Sequence, residues 1–585
     1  MRNAKLVNKA FNSFLLASVL TVLGTQAGQL IDALMLSHFI SPEAMAGVNI
    51  TKPVAQILFA IASLFIQGGA MLAGMAIGNQ DRKQANQLFS TTIISIAVLG
   101  IVAMLFTVVG FDTLTDLLCS EGGKMREYTA RYLNVLLLGA IPFTMMIALM
   151  QYVAVDGEPK LVTTATVASE IAHVVLGYIF IYFFKWDVEG AAWSSNLSYV
   201  VACVILLLHF RKSDTLQFRI PSFSGKLLGK IFVMGIPIGI STALIAVRMT
   251  GSNDAAITFL GNQGMEVMAI CNNLLGFSMI ILSGTMSAFN PVATVLKGSD
   301  DNAGVLMVIK HAYRFMLISM AAYCAFMIFM PGTIANIFGV DAVNHTEAFG
   351  IAGIGIPIFA LNIAAQSFVF ILIPIYQIYG HKSLAMFIST AQPLLPMIMF
   401  RIMCQHDFGI APWWGFFIGQ MLVVAGLLPY IIYKWVSDKT SSVFFLVPKK
   451  TADHIFDTTV SASIKELDST MEELQNFLTD ECGANIADAV QTTLTVDELA
   501  QNSIKHGKAS HVDIRVAATD GKIKFVLHDD GAPYNPTEPS KVTTKIEDRI
   551  EGGLGLEVIQ ALAKDITYSY TFHQNVVSFT LTTKE

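Results

Sequence analysis

GNQDRKQAN, residues 78–86, has a counterpart in GSDDNAG, residues 298–304, at an offset of 220. Working outward from this pair, DGEPKL (156–161) answers to YGHKSL (379–384), offset 223 at their glycines, and VEGAAW (188–193) answers to DFGIAPWW (407–414), offset 219. Asp32 answers to Asp254 at 222. Each match alone is weak, but four near one offset describe a chain built from two similar halves.

The halves read as membrane-embedded. Of 585 residues, 54% are hydrophobic and 14% charged, with mean hydropathy +0.58, whereas soluble proteins carry about 25% charged residues. This excludes one large water-soluble enzyme. Twelve apolar stretches qualify as spans, at 14–40, 45–77, 91–111, 132–155, 161–184, 191–210, 231–260, 265–296, 313–330, 349–379, 384–403 and 413–435. Six spans return each half to its starting side, so the halves have parallel topology. Their expected limits are 10–212 and 228–436 within a membrane region 1–440, followed by a linker at 441–450 and a C-terminal domain at 451–585.

Charge separates the regions. Residues 1–450 hold 26 Lys+Arg against 21 Asp+Glu, and 451–585 hold 11 against 22, a split of +5 and −11. The acidic tail excludes a basic nucleic-acid groove. Arg82, Lys83, Lys160, Arg211, Lys297 and Lys382 fall in loops of one side, so the positive-inside rule places both termini in the cytoplasm. The first apolar run is too long for a signal-peptide core and reads as an uncleaved helix. The six cysteines are widely spaced without CxxC, which argues against a disulfide framework or a zinc site.

The tail alternates helix and strand patterns: helices at 463–478 and 485–505, strands HVDIRVAA and KIKFVLHD joined across Thr519-Asp520-Gly521, a helix at 557–563, and strands ITYSYTF and VVSFTLTT. The expected fold is an α/β sandwich of one sheet with helices. Three clusters carry chemistry. In DELAQNSIKHG, Glu498 and Asn502 are four apart on one helix face, a plausible base beside an oxygen ligand for Mg²⁺. In HDDGAPYNP, Asp529 ends a strand and Gly531 lets backbone approach a flat ligand. GGLGL, with Gly553 and Gly555, precedes a helix whose free N–H groups suit an anion.

In that order and spacing the clusters resemble the GHKL ATPase superfamily, and within it the anti-sigma-factor serine kinases, over nearly all of 451–585. The resemblance implies that Asn502 binds Mg²⁺, Glu498 activates an attacking hydroxyl, Asp529 receives the adenine amino group, and Gly531, Gly553 and Gly555 help hold ATP. It also implies an anti-anti-sigma (STAS-type) protein as phospho-acceptor and ATP-dependent serine kinase activity.

Among intramembrane ionisable residues, Asp32 shares a helix face with Gln29 and Thr25, while Asp254, Arg248, Lys52, Glu170 and His173 complete the set. Structural pairing of Asp32 or Asp254 with Lys52 or Arg248 is the alternative to a functional role. No GxxxxGK[ST] is present, so there is no P-loop motor. Twelve spans in two halves, with the quoted loop phrases, look like the MATE family of multidrug and toxin extruders over about 10–440. That resemblance implies Asp32, with Gln29, in H⁺ or Na⁺ coupling, Asp254 as the second-half candidate, and small organic cations or drugs as cargo. The resulting expectation is an antiporter of the bacterial cytoplasmic membrane carrying a cytosolic ATP-binding domain. A membrane ligand sensor controlling a serine kinase, or a lipid-linked flippase, are the other readings.

Overall fold

Long apolar segments form helices because lipid offers the backbone no hydrogen-bond partners, and helices satisfy those groups internally. The computed structural model describes residues 2–109, 111–118, 123–211, 213, 215–217, 223–406, 411–437, 441–448, 452–519, 522–537 and 566–582. Asp32 and Gln29 fall within its first helix, but their side chains lie outside the described residues, as do Gly553, Gly555 and the helix expected at 557–563.

The first half runs α1 (Lys5–Phe39), α2 (Pro42–Ile50), α3 (Lys52–Gly78), α4 (Arg82–Val109), α5 (Phe111–Leu118), α6 (Lys124–Leu138), α7 (Ala140–Val155), α8 (Pro159–Tyr178) and α9 (Asp187–His209). The second runs α10 (Gly225–Gly298), α11 (Asn302–Phe329), α12 (Pro331–Ile337), α13 (Thr346–Phe370), α14 (Leu372–Ile378), α15 (Lys382–Gln405) and α16 (Trp414–Ser437). Among the described residues ten helices are long and apolar enough to cross a bilayer, or 11 if α6 and α7, bent by 52°, form one span. The 74-residue α10 is broken at Gly261, where φ is +69°, and its two legs are the expected spans 231–260 and 265–296.

The repeated phrases fold alike. Asp81 N–H donates to the Ala76 carbonyl at 2.9 Å, and Asp301 N–H donates to the Leu296 carbonyl at 2.9 Å. Gln80 and Asp300 both take left-handed φ, 57° and 59°. Each aspartate then caps the following helix, Asp81 Oδ1 accepting from Gln84 N at 2.9 Å and Asp301 Oδ1 from Gly304 N at 2.8 Å. The glycine that precedes each turn is required by close approach: a Cβ on Gly78 would collide with the Val295 carbonyl, and one on Gly298 with the Met75 carbonyl. Through these glycines α3 and α10 seal the two halves together at the end facing the C-terminal domain, above a buried layer that includes Ala73, Val292 and Ala293.

The C-terminal domain holds β1 (His454–Ser461), α17 (Ile464–Asn476), α18 (Ile486–Lys505), β2 (His511–Thr519), β3 (Lys522–Asp529), β4 (Thr567–Thr571) and β5 (Gln574–Thr582). The strands form one antiparallel sheet in the order β1-β2-β3-β5-β4. β1 has no counterpart among the expected strands; it pairs along the whole of β2 as an edge strand. Val512, Ile514 and Val516 of β2 and Ile523, Phe525 and Leu527 of β3 face α17 and α18, forming a core with Leu467, Leu474, Val496 and Leu499. The alternate residues, Asp513 and Arg515 among them, point to the other face. In a two-layer sandwich that face would meet water, yet Asp513 and Arg515 are buried. The membrane region covers them.

Candidate functional site

The expected nucleotide end of the sheet assembles around α18. Asn485 caps this helix by accepting from Asp488 N at 2.8 Å, and the helix ends where His506 N–H donates to the Asn502 carbonyl. Glu498 and Asn502 share one face, with Asn502 Nδ2 3.5 Å from Glu498 Oε1. Asp529, 3% exposed, ends β3 beside them. Its Oδ1 accepts from Asn575 Nδ2 at 2.8 Å and Gly531 N at 2.9 Å, and its Oδ2 from Ser503 Oγ at 2.8 Å. Burial pushes the Asp529 carboxyl up, against these three donors. Three donors leave part of the lone-pair capacity of a carboxylate free, enough to receive one more N–H.

Glycine at 531 is required by crowding, since a Cβ there would stand 2.8 Å from the Gly507 carbonyl and 2.9 Å from Asp529 Oδ1. The cleft is lined by Leu499, Ser503, Gly507, Ala532, Tyr534 and Asn575 along with Asp529. Ser503 and Asn575 are absent from the sequence-based site. Asn575 sits opposite Asp529 in the β3–β5 register, a relation visible only once the strands are paired. Among the described residues no group of three or more His, Cys, Asp or Glu could hold a metal ion. A Mg²⁺ here would therefore rest on Asn502 and on ligand oxygens, which suits its preference for phosphates and water.

In the membrane region, Glu170 of α8 packs its carboxylate against Gly28 of α1, one turn before Asp32. Glu170 Oε2 lies 3.9 Å from His173 Nδ1, and His173 Nε2 lies 3.2 Å from Ser195 Oγ on α9. The first half thus gathers Glu170, His173 and Ser195 beside the helix that carries Asp32 and Gln29. In the second half, the pairing of Asp254 with Arg248 is corrected. Asp254 instead binds Arg401 of α15, Oδ2 to Nη1 at 2.5 Å, both well exposed. Arg248 is buried and donates to Gln366 Oε1 at 3.3 Å. Six residues along a helix separate two side chains by about 120° around its axis, so Arg248 and Asp254 do not share a face. By sequence Arg401 falls only near a helix end; a basic residue there is the signal for this partner. Lys52 lies exposed at the start of α3.

The MatE family model matches residues 17–179, and a histidine kinase-like ATPase domain model matches 460–581. The multidrug export protein MepA of Staphylococcus haemolyticus (strain JCSC1435) is 25% identical over 312 residues, covering 52% of this chain and 66% of that protein. MepA of Staphylococcus aureus (strain N315) is 25% identical over 260 residues, covering 44% and 56%. The chain thus spans about two thirds or less of the length of these curated relatives. A solved outward-facing multidrug resistance MATE family transporter of the MOP superfamily matches with TM-score 0.67 and 21% identity, covering 75% of this chain and 99% of that one. The solved MATE multidrug transporter DinF-BH matches with TM-score 0.65 and 20% identity, covering 75% and 97%. The chain carries a MatE domain and, after it, a histidine kinase-like ATPase domain, within a MATE-like helical fold.

Proposed function

We propose, from a chain that joins a MatE domain to a histidine kinase-like ATPase domain, that it is an ion-coupled exporter of small organic cations under nucleotide control. The observation that carries this reading is the glycine seam between two like halves in a MatE-matching chain, since alternating-access transporters rock one half against the other across such a contact. The polar cluster of Glu170, His173 and Ser195 beside α1 supports an ion site in the first half, with Asp32 and Gln29 as its α1 members. A carboxylate inside a membrane protein is costly when charged and far less so when protonated or paired with a cation. Ion entry at Asp32 and exit of an organic cation can therefore be exchanged, with H⁺ or Na⁺ as the coupling ion. Asp254, exposed and already bound to Arg401, is a weaker candidate for coupling.

In the C-terminal domain Asp529 would receive the adenine amino group and Asn502 the Mg²⁺, with Glu498 placed as the base beside it. Bound ATP supplies a nucleotide whose presence the domain reports; Glu498 would serve only if a hydroxyl substrate docks. The basic loops of one side support cytoplasmic termini, and the likeness to bacterial multidrug exporters supports a bacterial cytoplasmic membrane.

The test is cationic-dye flux in proteoliposomes of the full-length protein under an imposed pH or Na⁺ gradient, with and without Mg-ATP on the domain side. Gradient-driven flux that falls at least tenfold in Asp32→Asn is expected. Flux driven by ATP without any ion gradient would overturn the coupling. No flux under either gradient, together with phosphorylation of a STAS-type protein, would replace the exporter by a sensor kinase.

A further inference from the structure

The face of the ATPase sheet turned away from α17 and α18 is covered by both halves of the membrane region. From the first half, Gln80 accepts hydrogen bonds from Thr567 and Ser578, and Arg82 Nη2 donates to the Tyr568 carbonyl at 2.8 Å. Phe572 packs edge-on against Phe14 of α1 at 5.3 Å and closely enough on Gly157 that a Cβ there would stand 2.8 Å from its backbone nitrogen. Gln574 Nε2 donates to the Leu6 carbonyl at 2.9 Å. From the second half, Asp301 accepts from Arg515 Nη1, and the Asp300 carbonyl accepts from Arg515 Nη2 at 2.7 Å.

Arg2 ties these contacts together. Only 4% exposed, it reaches Asp301 Oδ2 at 2.5 Å, Asp513 Oδ2 at 2.8 Å and Asp457 Oδ1 at 3.8 Å. One guanidinium from the start of the chain therefore joins the second half to two strands of the ATPase sheet. Asp301 is itself 2% exposed and held between Arg2 and Arg515. Buried charges of this kind persist only when paired, so the cluster cannot part at Asp301 without leaving charge uncompensated. A second tie leads from α1 to the nucleotide end: Lys9 Nζ binds Asp530 Oδ2 at 2.7 Å, next in sequence to Asp529. Asp530 also accepts from Ser510 N, Ser510 Oγ and His511 N, so it is fixed to the strand that bears Asp513 and Arg515.

We infer that the outer face of the ATPase sheet is a docking surface for the membrane region itself, and that it bolts the two halves shut across the Gly78–Gly298 seam through Arg2, Asp301 and Arg515, with Lys9–Asp530 linking the bolt to the nucleotide cleft. This rests on the proposed reading in one respect, that the seam opens and closes during transport. Opening the seam separates Asp301 from Gln80, Arg82 and Leu6, so the domain must release one half. The first half holds it at more points, Arg2 and Lys9 among them, and the second through Asp300 and Asp301, so release occurs at the second, and the charge left uncompensated at Asp301 is the cost that keeps the bolt shut. A change at Asp529 on nucleotide binding reaches the bolt through its neighbour Asp530.

The experiment uses the full-length protein in lipid nanodiscs, with spin labels at Lys83→Cys and Ala303→Cys in a background of Cys119→Ala, Cys404→Ala and Cys482→Ala. Lys83 and Ala303 are exposed, stand in the first turns of α4 and α11 just after the two repeated turns, and correspond at the 220 offset. Their distance distribution is measured by pulsed dipolar spectroscopy with and without Mg-ATP. Asp301→Asn and Arg515→Gln are expected to add a longer-distance population without nucleotide, and asparagine preserves the helix-capping acceptor at 301. Lys9→Gln, at an exposed position, is expected to keep the resting distance and to lose the response to Mg-ATP. Unchanged distributions in both bolt variants, with gradient-driven flux and its ATP response intact, would overturn the bolt and leave the exporter standing. Longer distances in those variants with no flux under any gradient would uphold the bolt and remove the exporter reading. Should Asp301→Asn not fold, Arg515→Gln and Lys9→Gln decide the outcome by the same readout.

Discussion

The turn after Gly78 and the turn after Gly298 are nearly the same object put to different uses. Each places an aspartate after a left-handed residue, caps the next helix and presses a glycine against the opposite half. Asp81 remains an exposed cap. Asp301 keeps the cap and also receives Arg2 and Arg515, becoming one of the most buried charges described in the chain. Gly157 and Gly380 repeat the lesson: both take positive φ, 101° and 79°, but Phe572 packs on the first while a Cβ on the second would meet open space. A near-symmetric membrane region carries one ATPase domain, and that domain reads the two halves differently. Local sequence makes the turn; the partner decides what it does.

The sharpest way to break this comparison is to neutralise both aspartates. Asp301→Asn leaves two arginines facing a lost charge and is expected to lower stability by about 3–5 kcal/mol, the usual cost of breaking a buried pair. Asp81→Asn is expected to leave the thermal midpoint of the detergent-solubilised protein unchanged. Equal shifts in the two variants would remove the asymmetry.

Alanine at the seam should restore the symmetry. Gly298→Ala and Gly78→Ala each drive a methyl group into a carbonyl of the other half, and each is expected to cost about 1–3 kcal/mol as overpacking. A difference of more than about 2 kcal/mol between them would mean that the seam is not the shared element it is taken to be.

Acid provides a graded version of the first test. Burial would raise the Asp301 carboxyl, but Arg2 and Arg515 outweigh it and hold it down at about 2. A carboxyl depressed in the folded state contributes stability that is present above its unfolded value near 3.8 and is lost as pH falls toward 2. Burial pushes Asp457 up to about 6 in spite of Arg2. Its ionisation opposes folding, so stability rises as pH falls from above 6 toward 4. Unfolding midpoints should therefore climb as pH falls from 7 toward 4 and then drop by roughly 2 kcal/mol in equivalent stability toward pH 2. The drop should shrink in Asp301→Asn.

Arg82→Gln gives the smallest effect. Its hydrogen bond to the Tyr568 carbonyl is exposed, and its loss is expected to change stability by less than about 0.5 kcal/mol. A larger loss would give this exposed contact more of the docking strength than the geometry assigns.

Much of this architecture was legible in the sequence. The repeat could be seen because tight turns against another backbone demand Gly and a capping Asp, residue types that survive as readable phrases. The break at Gly261, the cap at Asn485 and strands β2 and β3 follow local signals of the same kind. Asp529 was visible beside its glycine turn. The strand β1 was not, because an edge strand of mixed polarity gives little period-two signal. Asn575 and Arg401 were missed because strand register and helix packing bring them to Asp529 and Asp254. Arg2 reads as an ordinary charge ahead of the first span, and nothing local says that it meets an aspartate 299 residues away.

The most direct test of the asymmetric bolt compares the ATP response of transport in three proteins. Gradient-driven dye flux in proteoliposomes is measured with and without Mg-ATP for wild type, Asp81→Asn and Asp301→Asn. Wild type and Asp81→Asn are expected to show the same change of flux with Mg-ATP, and Asp301→Asn to transport at one rate in both conditions. An Asp301→Asn protein that keeps the full wild-type response, or an Asp81→Asn protein that loses it, would contradict the account.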